Sequence, residues 1–316
     1  MKFIHVLIIV FLHLSCTSMD SENKDRKSSG NFDLHGHRGA RGLRPENTIP
    51  AFQEAIRLGM NTLELDTVLT KEKNLIIHHD THTNPVLCMG RDNKAVPYLP
   101  IDSLTVADLK TYDCGKLKNP KFERQIPVPD TQLITLTELF QYIKAQESKE
   151  PGLKGLRFNI ETKFPEKFSP ELVHEFARII VIQISGAGME NRSIVQSFHT
   201  PILPIIKKLN PKIQTSALYA PTIFQGIQLK LGIRSVIQNE ILEDANKMGA
   251  EIISPYFLYV DQSFIKKAQN LNLKVIPWTV NEKTEMLRLM GLGVDGLISD
   301  YPDLLIESQK EFFHQK

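Results

Sequence analysis

From residue 32 onward, short apolar runs alternate with amphipathic stretches, and this alternation constrains the chain more than any other feature. Strand candidates are Phe32 to His37, Asn61 to Val68, Arg157 to Glu161, Ile194 to Phe198, Ile213 to Tyr219, Glu251 to Tyr256, Lys274 to Val280 and Gly296 to Ser299. Helical spacing fills 170–184, 201–209, 236–248, 261–271 and 281–291 between them. Strand–helix alternation predicts a parallel α/β sheet. The count matches the eight strands of a closed (β/α)8 barrel, although an open doubly wound sheet carries the same alternation. With 41% apolar and 23% charged residues, the chain can build a sizeable core. A formal charge of +2 and the lack of aromatics interleaved with Lys and Arg argue against nucleic acid as a partner.

The first unit shows how sequence sets its boundaries. Gly36 and Gly39 loosen the backbone around His37-Arg38. Pro45-Glu46-Asn47-Thr48 then opens a helix with Asn47 or Thr48 as N-cap. Ile49, Phe52, Ala55 and Ile56 recur at helical spacing, and Gly59 supplies the stop.

Residues 1–16 follow a different logic. Lys2 precedes an apolar run from Phe3 to Leu14, interrupted by His5 and His13, and Ser15-Cys16 follows. The run is shorter than the ~20 residues of a bilayer span and has the charged start and apolar middle of a secretory signal. Cys16 after Leu14-Ser15 resembles a bacterial lipoprotein cleavage site, with lipid attached to the Cys, although His13 stands where such sites carry an aliphatic residue. Cleavage a few residues later would instead give a freely secreted protein. Residues 17–31 hold one apolar side chain and read as a solvated tether. The expected location is therefore outside the cytoplasm, in the periplasm or cell envelope, with a membrane anchor at Cys16.

The segment Leu75 to Asp80 reads as a further strand. Only Thr70 to Asn74 separates it from the strand before, too short for a helical crossover, so it is expected as a hairpin return above the barrel mouth that carries His79. From about 81 to 135 runs an insertion containing a short helix near Val106 to Thr111, and a regular helix resumes at Thr137 to Gln146. An insertion of this length reads as a lid or a substrate-shaping subdomain. It holds Cys88 and Cys114, which are either bridged or free.

Glu64 and Asp66 stand two apart in a strand and so share a face, with Leu63 and Leu65 on the other. Paired carboxylates directed into a barrel need positive charge between them. A hard divalent cation such as Ca²⁺ or Mg²⁺ supplies it, and so does an Arg or Lys ion pair. Asn159, Glu161 and Lys163 repeat the spacing on the next strand. Glu161 is placed to complete a metal site with Lys163 beside it, or the two form an ordinary ion pair. His37 and His79, each at a strand end beside a charged residue (Arg38, Asp80), are candidates for proton transfer. A lone strand histidine is more often a core residue. The neighbouring His35 and His78 are expected to point to the opposite side, and the forked donors of Arg38 suit phosphate.

His37-Arg38-Gly39, Pro45-Glu46-Asn47-Thr48, Glu64-Leu65-Asp66, His79-Asp80 and Glu161-Thr162-Lys163, in that order, resemble the glycerophosphodiester phosphodiesterase family. Gln196-Ser197-Phe198, Trp278-Thr279-Val280-Asn281, Gly293 to Gly296 and Ser299 to Pro302 extend the resemblance from about residue 34 to 303. Ser299 stands where the family often has Thr. The resemblance implies a TIM (β/α)8 barrel over 32–312 with an inserted subdomain after strand 2. It implies one Ca²⁺ or Mg²⁺ on Glu64, Asp66 and Glu161, and general base and acid roles for His37 and His79. Arg38 and Lys163 would bind phosphate, Trp278 would border the glycerol pocket, and Glu46 would orient the first loop or join the metal ligands. The implied reaction is hydrolysis of a glycerophosphodiester to glycerol 3-phosphate and an alcohol. A phospholipase D acting on lysolipids or sphingomyelin is the alternative on the same barrel, and a non-enzymatic surface binding protein is a third reading.

Overall fold

The computed structural model describes residues 32–232 and 234–314. The expected signal segment, Cys16 and the tether lie outside the described residues. The order is β1 (Asp33–Gly36), α1 (Ile49–Arg57), β2 (Thr62–Leu69), β3 (Leu75–Ile77), β4 (Met89–Gly90), α2 (Val106–Leu109), β5 (Tyr112–Asp113), α3 (Leu136–Glu147) and β6 (Arg157–Thr162). Then come α4 (Pro170–Gly186), β7 (Ser193–Ser197), α5 (Ile202–Leu209), β8 (Gln214–Tyr219), α6 (Ile223–Lys230), α7 (Ser235–Lys247) and β9 (Ile252–Pro255). β10 (Lys274–Val275), α9 (Lys283–Leu292), β11 (Gly296–Ser299) and α10 (Pro302–His314) complete the chain, with α8 (Gln262–Asn270) before β10.

Eight strands run in the order β10-β9-β8-β7-β6-β2-β1-β11, and each laddered pair is parallel. The two ends of this path meet. Asp295 donates its backbone N–H to the Val275 carbonyl at 2.9 Å, Ile298 to Pro277 at 3.0 Å, and Val280 to Ile298 at 2.9 Å. The barrel is thus nearly closed, and the open-sheet alternative is excluded.

The strand expected over Lys274 to Val280 is regular only at Lys274–Val275. Ile276 and Trp278 still donate to Ile253 and Pro255 of β9. The residues between them face β11, where Pro277 has no N–H to give and Val275 donates instead to the Asp295 carboxylate at 2.8 Å.

Side chains sort by the strand period. Leu63 and Leu65 face outward into the large apolar cluster under the helices, which also holds Phe52, Phe140, Phe158 and Phe176. A separate cluster of Ile194, Ile252, Ile276 and Ile298 fills the barrel floor, with Trp278 packed on it. Helix starts follow their caps: the Thr48 hydroxyl accepts from Ala51 N, and Thr135 and Glu138 form a capping box at α3.

His35 corrects one expectation. Its ring lies inside the barrel, 3.3 Å from Asn159 Nδ2, and not on the side opposite His37. The two histidines are two residues apart, and a period of two keeps them on one face.

The hairpin return is present. β3 pairs antiparallel with β2 through Thr67↔Ile77, Val68↔Ile76 and Leu69↔Leu75. The insertion then folds over its own core of Val68, Ile76, Cys88, Val96, Ile101, Leu109, Cys114 and Leu133, beside the β4–β5 hairpin. Cys88 and Cys114 are joined as a disulfide. Buried Asp113 organises the returning strand by accepting the N–H groups of Gly115, Lys116, Asp130 and Thr131. Gln125 ties the insertion to the barrel by donating to the carbonyls of Arg41 and Arg44.

Two outcomes follow from this architecture. Closing a 26-residue separation restricts the unfolded insertion by about 3 kcal/mol. Reduction, or the pair Cys88→Ala and Cys114→Ala, is therefore expected to expose residues 81–135 to limited proteolysis while the barrel fragment persists; equal protease resistance with and without reductant would contradict this. Burial pushes His35 down to about 4 from 6.5, against the attraction of Asp33. Below pH 6.5 the unfolded chain binds a proton that the folded chain refuses, so this stabilisation is complete above 6.5 and disappears as pH falls through 4, roughly 3 kcal/mol in all. Thermal melts of wild type and His35→Asn should differ in slope across that window, and parallel curves would exclude His35 as a source of the acid sensitivity.

Candidate active site

The site lies at the C-terminal ends of the barrel strands, where loops can vary without disturbing the core. Its first element is the turn after β1. Arg38 has φ 49° and Gly39 φ 80°. A Cβ on Gly39 would lie 2.7 Å from the Ala51 carbonyl carbon, and one on Gly36 would lie 2.1 Å from the Gly39 carbonyl oxygen. Both glycines are needed for the turn to pack on α1. Holding Arg38 in the left-handed region aims its backbone N–H at Glu64 Oε2, 2.8 Å away.

Parallel pairing of β2 with β6 sets Glu64 beside Asn159 and Asp66 beside Glu161. Glu64, Asp66 and Glu161 each offer an oxygen within 4.8 Å of the others, and all three are buried. Glu64 accepts from Gln196 Nε2 at 2.8 Å, and Asp66 accepts from Asn47 Nδ2 at 2.9 Å. Arg38 Nε lies 3.1 Å from Asp66, Lys163 Nζ lies 3.1 Å from Asp66 Oδ1, and Lys163 also pairs with Glu161.

Burial, together with the charges of Asp66 and Glu161, raises the Glu64 carboxyl well above its ordinary range. Burial also raises Glu161, with Asp66 adding to it and Lys163 opposing. At Asp66 the burial penalty is outweighed by Lys163 and Arg38, which hold it well below the usual carboxylate value. Asp66 Oδ1 and Glu161 Oε1 are buried, and the Lys163 ammonium is their contact. Three convergent buried carboxylates, two of whose oxygens are met by the Lys163 ammonium alone, fit a hard divalent cation.

The histidines stand across the carboxylate group. His37 Nδ1 donates to Asp300 Oδ1 at 2.6 Å, and its Nε2 lies 3.8 Å from Glu64. A carboxylate only accepts, so Nδ1 carries the proton and the neutral ring turns the Nε2 lone pair toward the cleft. Burial and Arg41 push His37 down to about 4, against the pull of Asp300. Asp300 is in turn fixed by Arg41 Nε at 2.5 Å and Asn281 Nδ2 at 2.7 Å. His79 pairs through Nδ1 with Asp80 at 2.7 Å, and Asn84 holds the other Asp80 oxygen. The hydrogen bond from His79 keeps Asp80 far below the usual carboxylate range.

The structure brings His37, Arg38, Glu64, His79, Glu161, Lys163 and Trp278 to one cleft of about 170 Å³. Asp66 sits beneath its floor, fully buried. Glu46 stands outside the carboxylate group. Its Oε1 pairs with Arg38 Nη1 at 2.6 Å and its Oε2 accepts from Asn119 of the insertion at 3.3 Å, so it braces the first loop. The Trp278 ring meets Phe198 edge-on at 5.5 Å, and its indole N–H donates to Ser254 O at 2.8 Å.

Sequence reasoning missed Asp300, Arg41, Asn281, Gln196 and the side chain of Asn47 as members of this site. Asp300 carried one signal: it is the first residue after the last strand, where barrel loops begin.

A protein named glycerophosphodiester phosphodiesterase from Caldanaerobacter subterraneus subsp. tengcongensis is 27% identical over 85% of this chain and 94% of its own. A Homo sapiens protein named lysophospholipase D is 25% identical over 88% of this chain and 85% of its own. The fold matches that of an Oleispira antarctica phosphodiesterase solved in complex with the product sn-glycerol-3-phosphate, with a TM-score of 0.67, 21% identity, and 89% of this chain and 99% of that one covered. The model of the glycerophosphoryl diester phosphodiesterase family matches residues 37–304, nearly the whole barrel together with every side chain described above, and this chain belongs to that family.

Proposed function

We propose that the protein hydrolyses glycerophosphodiesters to glycerol 3-phosphate and an alcohol, in a metal-dependent reaction with His37 and His79 as acid–base pair. The observation that carries this reading is the convergence of two carboxylates and two imidazoles on one cleft, with the third carboxylate, Asp66, directly beneath its floor. Glu64, Asp66 and Glu161 would hold one Ca²⁺ or Mg²⁺, which when bound neutralises phosphoryl charge and acidifies a nearby hydroxyl.

The remaining work falls to the chain's own groups. Arg38 and Lys163 present donors to the phosphate oxygens. His37 is neutral with its Nε2 lone pair free, and it takes the proton of the attacking oxygen, a glycerol 2-hydroxyl or water. His79, paired with Asp80, protonates the departing alcohol. Asp300 is a positioning residue: it holds His37 in the tautomer that leaves Nε2 unprotonated. Trp278 offers an apolar wall for the glycerol carbons. The 25% identity to a protein named lysophospholipase D favours cleavage of lysolipids as the second reading.

For location, we propose export to the periplasm or cell envelope with a lipid anchor at Cys16. The Cys88–Cys114 disulfide supports an oxidising compartment.

His79→Ala is expected to lower kcat by about 10²–10⁴-fold with an unchanged melting temperature. Asp300→Asn places an amide donor against Nδ1, reverses the tautomer and should cost at least ~10²-fold in kcat with little change in KM. A coupled glycerol 3-phosphate assay reads both. Near wild-type turnover in His79→Ala would remove that residue from the mechanism. Chelation should abolish activity and added Ca²⁺ or Mg²⁺ should restore it; full activity after exhaustive EDTA treatment would reject the metal-dependent reading. Rates on glycerophosphocholine and on lysophosphatidylcholine separate the two substrate classes.

A further inference from the structure

The two most exposed large apolar side chains among the described residues, Ile223 and Leu231, lie on one short stretch together with Phe224 and Ile227. Along α6 and its C-cap, Ile223 is 89% exposed, Phe224 69%, Ile227 54% and Leu231 72%. At 3.6 residues per turn these four occupy an arc of about 100°. Leu229, on the opposite side, is buried in the core. The helix is therefore anchored by one face and presents an unpartnered apolar ridge on the other, a surface that monomeric soluble proteins rarely expose.

Its place in the fold gives the ridge a direction. α6 begins four residues after the end of β8, so its first turn lies beside the rim that carries the cleft. It packs by the 257–259 turn, next to Tyr256, whose ring meets Trp278 at 6.0 Å. Half-exposed Phe198 continues the apolar lining from Trp278 inside the cleft.

We propose that the Ile223–Leu231 ridge is a lipid-contact surface that seats the cleft on a bilayer, so that the enzyme draws lysophospholipid from the membrane. A cleft of about 170 Å³ holds a polar head, and an acyl chain attached to it must leave across the rim. An amphipathic helix beginning beside that rim would bury its apolar face at the lipid boundary. The chain preceding the barrel permits this orientation. Residues 17–31 join the barrel at the foot of β1, opposite the mouth, and span at most ~50 Å when extended. That is about the diameter of a domain of this size, so a chain anchored at Cys16 can turn its mouth to the same bilayer. The inference rests on the phosphodiester-cleaving reading and adds the source of the substrate to it.

The test uses the full chain on phosphatidylcholine vesicles containing lysophosphatidylcholine. Phe224→Ser with Ile227→Ser should lower kcat/KM on the vesicle substrate about tenfold or more, since two large apolar groups no longer leave water, and leave the rate on soluble glycerophosphocholine unchanged. Independently of turnover, the indole introduced by Phe224→Trp should be quenched by brominated lipid several times more strongly than one introduced by Leu209→Trp on the opposite end of the barrel. Equal quenching at the two positions, or an unchanged vesicle-to-soluble rate ratio, overturns the proposal. So does blue-shifted emission from Phe224→Trp before vesicles are added, which shows the ridge already covered by a second copy or by residues 3–14. Absence of turnover on soluble diesters in the wild type would count against the phosphodiesterase reading, while the quenching comparison still decides the lipid surface.

Discussion

The structure depends on charge compensation at the top of β2 and β6. Register alone brings Glu64, Asp66 and Glu161 together, and three buried carboxylates without counter-charge would be prohibitive. Arg38 and Lys163 offset part of that cost, Arg38 through both its guanidinium and its backbone N–H. The requirement propagates outward. Arg38 must adopt a left-handed backbone to make both contacts, Gly36 and Gly39 must lack side chains so that the turn can close on α1, and Glu46 must hold the guanidinium from behind. The sequence His37-Arg38-Gly39 is thus one mechanical unit in which the charge, the turn and the His37 imidazole are fixed together.

The same unit links the barrel to its insertion. Asn119 reaches Glu46, Gln125 holds two carbonyls of the Arg41–Arg44 segment, and the β2–β3 hairpin delivers His79. The insertion has its own core and disulfide, so its position does not depend on substrate to be organised. One histidine comes from the barrel proper and the other from the hairpin connection, and both face carboxylates that cannot donate. Each imidazole is therefore oriented through Nδ1 by an acid, Asp300 or Asp80. Such pairing fixes a tautomer without adding a competing donor to the cleft.

Much of this was legible in the residues. Periodicity located the strands because each buries an alternating face, and the spacing of Glu64 with Asp66 predicted a shared direction before any contact was known. The brevity of Thr70 to Asn74 required a hairpin. What could not be read depends on contacts between distant segments. Asp300 meets His37 across 263 residues, and Gln196 meets Glu64 across 132. The bridge between Cys88 and Cys114 depended on how the insertion folds, which spacing does not encode. The truncated regularity of β10 was legible in principle, since Pro277 marks the missing donor. His35 was misread because its neighbourhood drew more weight than its period.

The α6 ridge shows why such a surface escapes periodicity analysis. Ile223, Phe224, Ile227 and Leu231 have helical spacing, which ordinarily signals a buried stripe, yet it is Leu229 on the other side that enters the core. Amphipathic pattern reports that an apolar face exists and is silent on what covers it. In a barrel, the sheet claims one face of each helix, so an apolar face turned away from the sheet is surplus to folding. On the lipid-contact reading proposed above, surplus apolar surface beside a charged cleft complements an amphiphile, whose phosphate Arg38 and Lys163 would engage while its chain lies along the ridge. The division between a charge-lined cleft and an apolar rim matches the division within a lysolipid molecule itself.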